Sequence, residues 1–309
     1  MDFLLIAGGF IALLIGGESL VSGAVAVARR LRISPMVIGL TLVGFGTSMP
    51  ELVTSVNAAL NGSPGVALGN VVGSNIANIL LILGLAALLW PVAVNRLRFR
   101  NDALFLMGSA TLCAVLLIPG HIGLPAGLAL VAGLGLFLAI TLRSGPIPQA
   151  EDEPEEASIL PTWQGLALFA VGLGITLLGA NWLVDGAVGL ARTMGVSETL
   201  VGLTVVAVGT SLPELVTSLI AARRHQSEVA FGNIVGSNIF NVCGILGITA
   251  IIEPMPIPAP ILQLDIWVML AATLALVLAA ITGHGISRRE GGLLLAGYAA
   301  YIGVLAAQI

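Results

Sequence analysis

The sequence predicts an all-α polytopic membrane protein whose ten transmembrane helices form two inverted five-helix repeats. Three observations predict it. Charged residues are scarce, apolar runs long enough to cross a bilayer follow one another almost without break, and the chain matches itself at an offset of 163 residues.

The composition is set against a water-soluble domain. Of 309 residues, 57% are hydrophobic, 9% are charged and 39 are glycine, with a mean hydropathy of +1.06; soluble domains carry about a quarter charged residues. The formal net charge is −4, and all 12 basic residues are arginine. No polybasic segment is available to track a phosphate backbone, which excludes nucleic-acid binding. The first 20 residues have no positive leader and run straight into a full-length span, so they read as a retained first helix. Cys113 and Cys243 each lie inside an apolar run with no metal-ligand spacing, and both read as packing residues.

At about 20 apolar residues per crossing, the spans fall near residues 3–28, 33–60, 65–90, 102–119, 122–142, 162–188, 196–222, 229–252, 262–282 and 290–307. The charges support these ends. Arg29, Arg30, Arg32, Arg96, Arg98, Arg100, Arg143, Arg223, Arg224, Arg288 and Arg289 all follow odd-numbered spans, and Arg192 alone follows an even-numbered one. Positive residues mark the cytoplasmic side, so both termini are expected outside and the central loop inside. The expected organisation is a first repeat over 1–143, an acidic cytoplasmic linker over 144–161 and a second repeat over 162–309.

Without a gap, Leu20 to Gly84 aligns with Leu183 to Gly247. GTSMPELVTS returns as GTSLPELVTS, GNVVGSNIAN as GNIVGSNIFN, and Asp102 meets Asp265 at the same offset. Each half holds five spans, an odd number, so the second enters the membrane from the opposite side. Inverted repeats are characteristic of secondary transporters, with the substrate site at the repeat interface near the bilayer midplane.

The repeated motifs carry the chemistry. Pro50 and Pro213 sit in the second and seventh spans, beside Glu51 and Glu214. Proline has no N–H and crowds the carbonyl four residues back, so each is expected to free a carbonyl, at Gly46 and Gly209. Irregular backbone at membrane depth is tolerated where it lines a cavity or is buried in protein. An acid at a helix centre costs about 2.5 kcal/mol or more unless neutralised, and no basic residue lies in the central third of any span. A metal ion or a proton remains as the partner. The third and eighth spans add Asn70, Ser74, Asn75 and Asn78, matched by Asn233, Ser237, Asn238 and Asn241. Ser74 and Asn78 are four apart and share a face, whereas Asn75 and Asn238 turn about 100° away and are expected to support rather than line the site. With Thr47 and Ser48, two carboxylates and many neutral oxygens make a hard-cation site. Calcium takes six to eight oxygens at about 2.3–2.6 Å in irregular geometry, and one Ca²⁺ offsets two carboxylates. Several Na⁺ ions or protons would do the same.

GTSMPELVTS with GNVVGSNIAN, repeated as GTSLPELVTS with GNIVGSNIFN, resembles the paired alpha repeats of the cation/calcium exchanger superfamily, and among its members the prokaryotic sodium/calcium exchangers. The resemblance spans essentially the whole chain. It implies an antiporter that lets Na⁺ in to extrude Ca²⁺ by alternating access, with the first and sixth helices sliding across the core. It implies Glu51 and Glu214 as central carboxylate ligands, with backbone oxygens of Thr47 and Thr210 on Ca²⁺. Ser48, Ser74, Ser211 and Ser237, with backbone oxygens of Gly44 and Ala207, would line flanking Na⁺ sites. Asn78 and Asn241 complete the expected set. In some similar exchangers one of those two positions is an aspartate; here both are asparagine, leaving two formal charges and keeping H⁺ or K⁺ open as the coupling ion.

Other charges are less specific. Glu18 and Asp185 lie deep in the first and sixth spans at positions that are not equivalent, and are expected to line an ion path or to pair with each other. Glu151, Asp152, Glu153, Glu155 and Glu156 lack the alternation and turn glycine of an EF-hand and read as a solvated linker. Ser19, Ser22 and Thr41 are expected to bond their own preceding carbonyls. A passive channel would more naturally arrange acidic rings around a symmetric oligomer. Enzyme readings lack their motifs, since His121, His225 and His284 are scattered near span ends and there is no HExxH or P-loop. The expectation is a multi-pass transporter of the inner or plasma membrane, working on Ca²⁺ and Na⁺ within the lipid bilayer. It needs no cofactor and no protein partner.

Overall fold

The computed structural model describes residues 1–94, 96–143, 160–194, 207–283 and 285–307. The chain is overwhelmingly helical, as its composition requires: in hydrocarbon every backbone N–H and C=O must be satisfied within the segment. Seven described helices are long and apolar enough to cross a membrane, and an eighth crossing is counted if the bent pair Pro35–Thr47 and Met49–Leu60 is one span. Of the ten expected crossings, the seventh lies partly outside the described residues, and the acidic segment 151–156 lies wholly outside them. The tenth corresponds to the helix Arg288–Ala306, which carries Arg288, Arg289 and Glu290 in its first turn and is not among those seven.

The layering follows from burial. The two motif-bearing helices, Pro64–Leu89 and Ser227–Ile252, have 72% and 89% of their apolar windows buried, against 33% and 28% for α1 (Asp2–Leu31) and α9 (Thr162–Thr193). The polar motifs therefore occupy the centre of the bundle, and α1 and α9 form a layer outside it. Both central helices contain a π-helical stretch, Asn78–Leu83 and Phe240–Leu246. π-turns shift the side-chain register and occur frequently at functional sites.

Glycine decides how α1 and α9 meet. Gly9, Gly16 and Gly23 on α1 are seven apart, as are Gly165, Gly172, Gly179 and Gly186 on α9. A Cβ on Gly9 would lie 2.7 Å from the Gly179 carbonyl oxygen, one on Gly16 2.9 Å from that of Gly172, and one on Gly23 2.7 Å from that of Gly165. Ascending numbers meet descending ones, so the helices run antiparallel. Seven residues are two turns, which keeps the small residues in one seam and lets the backbones touch along it.

Two short strand pairs join the halves. Val92–Ala93 pairs antiparallel with Gly285–Ile286, and His121–Ile122 with Met255–Pro256. At the offset of 163, Val92 corresponds to Met255 and Ile122 to Gly285, so the two pairings are the same contact made twice with the halves exchanged, shifted by one residue in register.

Backbone contact recurs at the centre, where the helix Pro35–Val43 crosses Ser227–Ile239. A Cβ on Gly236 would sit 2.2 Å from the Leu40 carbonyl oxygen, and one on Gly232 2.6 Å from that of Met36. At these two positions the motif glycines serve helix crossing. Gly236→Ala is expected to lower the thermal unfolding midpoint of the detergent-solubilised protein. Overpacking against fixed backbone costs about 1–3 kcal/mol and outweighs the propensity of about 1 kcal/mol that alanine gains over glycine. Gly135→Ala, inside the helix Leu124–Arg143 and with nothing within 4 Å, has only the propensity gain and is expected to leave the midpoint unchanged or slightly raised in the same fluorescence-detected melt.

Candidate ion-binding site

Each carboxylate is delivered by a broken helix. The first piece, ending Gly44–Thr47, stops at Ser48 with φ −86° and ψ 9°, and the next begins at Met49 with Pro50 in its first turn. The second half repeats this: Ala207–Thr210 precedes Ser211 at φ −90° and ψ 7°, and Leu212–Arg223 follows with Pro213. In the first half the pieces are bent by 44°. Proline fits a first helical turn because the N–H it lacks would have no intrahelical partner there. The break sits on the serine two residues ahead of it. At the break the Ser48 N–H donates to the Gly44 carbonyl at 3.2 Å and also faces that of Gly46, which Pro50 cannot reach with an N–H.

Glu51 and Glu214 fall in the first turn after each break, and both are 1% exposed. The positive end of a helix N-terminus favours a carboxylate there. Each also reaches across the halves. Ser48 Oγ donates to Glu214 Oε1 at 2.7 Å, and Ser211 Oγ donates to Glu51 Oε1 at 3.3 Å. In each case the second oxygen, Oε2, is buried with no hydrogen-bond partner. Among the described residues no ion pair reaches either carboxylate.

The neighbouring helices bring amide groups to the same place. Asn241 Nδ2 donates to Ser74 Oγ at 3.0 Å, and Asn78 Nδ2 donates to Asn238 Oδ1 at 3.0 Å. Both nitrogens are thus engaged across the halves, and the Oδ1 atoms of Asn78 and Asn241 are left buried and unpartnered. Four oxygens of one kind result: two from carboxylates and two from amides, all acceptors without a donor. A buried acceptor left alone costs about 1–3 kcal/mol, more if charged. Acceptors of this kind suit a cation rather than a further acceptor.

The remaining expected residues hold this frame. Ser237 Oγ donates to the Gly44 carbonyl at 3.2 Å, and Ser74 Oγ donates to that of Val71 at 3.1 Å. Thr47 is fully buried, with its hydroxyl 3.1 Å from the Val43 carbonyl and 3.2 Å from Asn233 Oδ1. Thr210 is half-buried at the end of its helical piece, and Ala207 opens that piece. Asn238 supports, as expected, by accepting from Asn78. Asn75 donates to the Val71 carbonyl at 3.0 Å, but its own Oδ1 is buried without a partner.

Three arrangements were not anticipated from the sequence. Asn70 Nδ2 donates to Ser55 Oγ at 2.8 Å and to the Glu51 carbonyl at 3.0 Å; Asn233 Nδ2 does the same to Ser218 Oγ at 2.9 Å and to the Glu214 carbonyl at 3.4 Å. These clamps fix the turn that carries each acid. The final serine of each ELVTS, repeated at the same offset, was their signal. Thr217 Oγ1 is a further buried oxygen without a partner. The last feature concerns Glu18, which does not meet Asp185: it pairs with Arg223 and Arg224 at the end of the helix Leu212–Arg223. Asp185 is exposed. Ser22 and Thr41 do bond back, to the carbonyls of Glu18 and Val37, each at 2.7 Å.

Comparison with known proteins gives the same architecture a family. The sequence model described as "Sodium/calcium exchanger protein" matches residues 1–143 and 164–307. The putative antiporter CaxA of Alkalimonas amylolytica is 39% identical, with 95% of each chain covered. The sodium/calcium exchanger MaX1 of Methanosarcina acetivorans is 32% identical over 99% of this chain and 98% of its own. A solved structure of the sodium-calcium exchanger NCX_Mj, soaked with Na⁺ and Ca²⁺, superposes with a TM-score of 0.87 at 33% identity, covering 98% and 97% of the two chains. An exchanger family is a family of transporters rather than enzymes, and this multi-pass membrane chain belongs to the sodium/calcium exchanger protein family.

Proposed function

We propose that this chain is a secondary antiporter that exchanges Na⁺ for Ca²⁺ by alternating access and works to extrude calcium. The observation that carries the reading is the set of four buried, donorless oxygens: Glu51 Oε2, Glu214 Oε2, Asn78 Oδ1 and Asn241 Oδ1. Two carboxylates balance one Ca²⁺, and the neutral oxygens help to bring the ligand number toward the six to eight that calcium takes. In this reading Thr47 and Thr210 add backbone oxygens. Ser48, Ser74, Ser211 and Ser237, with the carbonyls of Gly44 and Ala207, line flanking Na⁺ positions. Ca²⁺ and Na⁺ then compete for the same charges, and mutually exclusive occupancy is the minimum physical basis of antiport.

The inverted ten-helix arrangement is part of this proposal. It is supported by α1 and α9, which correspond at the offset of 163 yet run antiparallel, and by the two strand pairings that exchange the halves. The arginine distribution supports both termini outside and the central loop in the cytoplasm.

A second reading, proton-coupled exchange, is favoured by one observation: the site holds only two acids, and two protons neutralise it as fully as one Ca²⁺ does. Potassium-dependent exchange has no such observation behind it.

Proteoliposomes loaded with Na⁺ and diluted into Na⁺-free buffer are expected to take up ⁴⁵Ca²⁺, and an outward H⁺ gradient alone is expected to drive none. Uptake with the H⁺ gradient only would establish the second reading, and uptake with neither gradient a channel. Glu51→Gln or Glu214→Gln is expected to bring Na⁺-driven uptake to the level of empty liposomes while the protein remains monodisperse in detergent. Wild-type uptake in both variants would overturn the site.

A further inference from the structure

At the end of the second carboxylate helix, Arg223 and Arg224 both pair with Glu18, which lies midway along α1. Arg224 Nη1 stands 3.3 Å from Glu18 Oε2 and also donates to Ser22 Oγ at 2.5 Å and to the Glu18 carbonyl at 3.4 Å. One turn of α1 is thus tied to one helix end by four contacts. Beside the cluster, Gly17 lets α1 lie directly on that helix: a Cβ there would meet Ile220 Cδ1 at 2.6 Å and Val216 Cγ1 at 3.0 Å. Ile220 is 5% exposed as a result.

The other half does not repeat this contact. At the offset of 163, Glu18 corresponds to Asn181, Ser22 to Asp185, Arg223 to Leu60 and Arg224 to Asn61. No ion pair of this kind can form from those residues, because the one acid has moved and neither cation is present. The helix surface it would hold is uncovered: Val53, the counterpart of Val216, is 58% exposed, and Asn57, the counterpart of Ile220, is exposed. The α1/α9 layer is therefore docked on one carboxylate helix and withdrawn from the other. Its glycine seam joins the two long helices backbone to backbone, so a tie at Glu18 holds both.

We propose that Glu18, Ser22, Arg223 and Arg224 form a one-sided latch that positions the α1/α9 layer over the helix Leu212–Arg223. It closes the path to Glu51 and Glu214 from the arginine-bearing face and has no counterpart on the opposite face. The inference rests on the alternating-access reading. These are positioning residues, since none touches the ion site. Opening the arginine-bearing face requires the three charges to separate, and the layer then covers the opposite face.

The test uses the full chain in sided membrane vesicles, with Ile220→Cys or Asn57→Cys as reporter and a membrane-impermeant maleimide as probe. Cys113 and Cys243 are buried and remain in place. The introduced thiol of Ile220→Cys is expected to be protected from the arginine-bearing face. Glu18→Gln is expected to raise its labelling rate from that face several-fold and to lower that of Asn57→Cys from the other. Combining Glu18→Arg with Arg223→Glu and Arg224→Glu restores the charges in reverse and is expected to restore protection, which a merely misfolded variant would not do. Unchanged labelling in Glu18→Gln, or no recovery in the charge reversal, overturns the latch. Na⁺-driven ⁴⁵Ca²⁺ flux of the parent protein in the same vesicles is read separately: its absence would count against the exchange reading, and the labelling would still decide the latch.

Discussion

Two acids buried at the centre of a membrane protein, with no positive side chain beside them among the described residues, constrain everything around them. Glu51 and Glu214 are both 1% exposed, in surroundings where like charges repel strongly and water does little to screen them. The protein offers partial compensation only. A helix N-terminus contributes a fraction of a charge, and one serine hydroxyl from the opposite half engages one oxygen of each carboxylate. A salt bridge at this point would satisfy the acids permanently and leave nothing for a cation to do. A site that must bind and release its ion needs compensation that is incomplete.

Geometry follows from that requirement. To place an acid in the first turn of a helix at the middle of the bundle, the helix has to begin there, which is why each span breaks at Ser48 or Ser211 and restarts around a proline. A broken helix loses stiffness, and the asparagines restore it: Asn70 and Asn233 each bind the carbonyl of the acid's own residue and a serine one turn further on. Close approach of the surrounding helices completes the enclosure. At Gly232 and Gly236 the backbones are so near that no side chain fits, and in lipid such packing replaces the hydrophobic driving force available in water.

Much of this was legible in the sequence because membrane folding rules act locally. A run of apolar residues, a proline beside an acid and a motif repeated at a fixed offset each carry their meaning without tertiary information. The spacing of Ser74 and Asn78 indicates one shared face, and the unpartnered oxygen of Asn78 lies where that face points inward to the other half. What could not be read depended on partners distant in sequence. Glu18 looked like a candidate for an ion path or for pairing with Asp185, and only the docking of α1 on the end of Leu212–Arg223 brings it to Arg223 and Arg224, about 200 residues away. The seven-residue glycine spacing on α1 and α9 was visible in the chain, and its meaning appears only when the helices are seen to face each other.

Near-symmetry of the site and asymmetry of its surroundings have different consequences. In the proposed exchange the paired acids, serines and asparagines give equivalent ligands to an ion arriving from either face, as a carrier that loads on both sides requires. The latch residues are not paired, and an interaction present in one conformation only shifts the population toward it. Such a shift cannot change the direction of net exchange, which the ion gradients fix. It changes the fraction of molecules open to each face, and with it the apparent affinity on each side, because affinity scales with the fraction that is competent to bind. An exchanger facing different ion concentrations on its two sides gains from unequal apparent affinities while its ligands stay matched. Substitution at Glu18, Ser22, Arg223 and Arg224, outside the ion site, can tune that inequality without altering what the site binds.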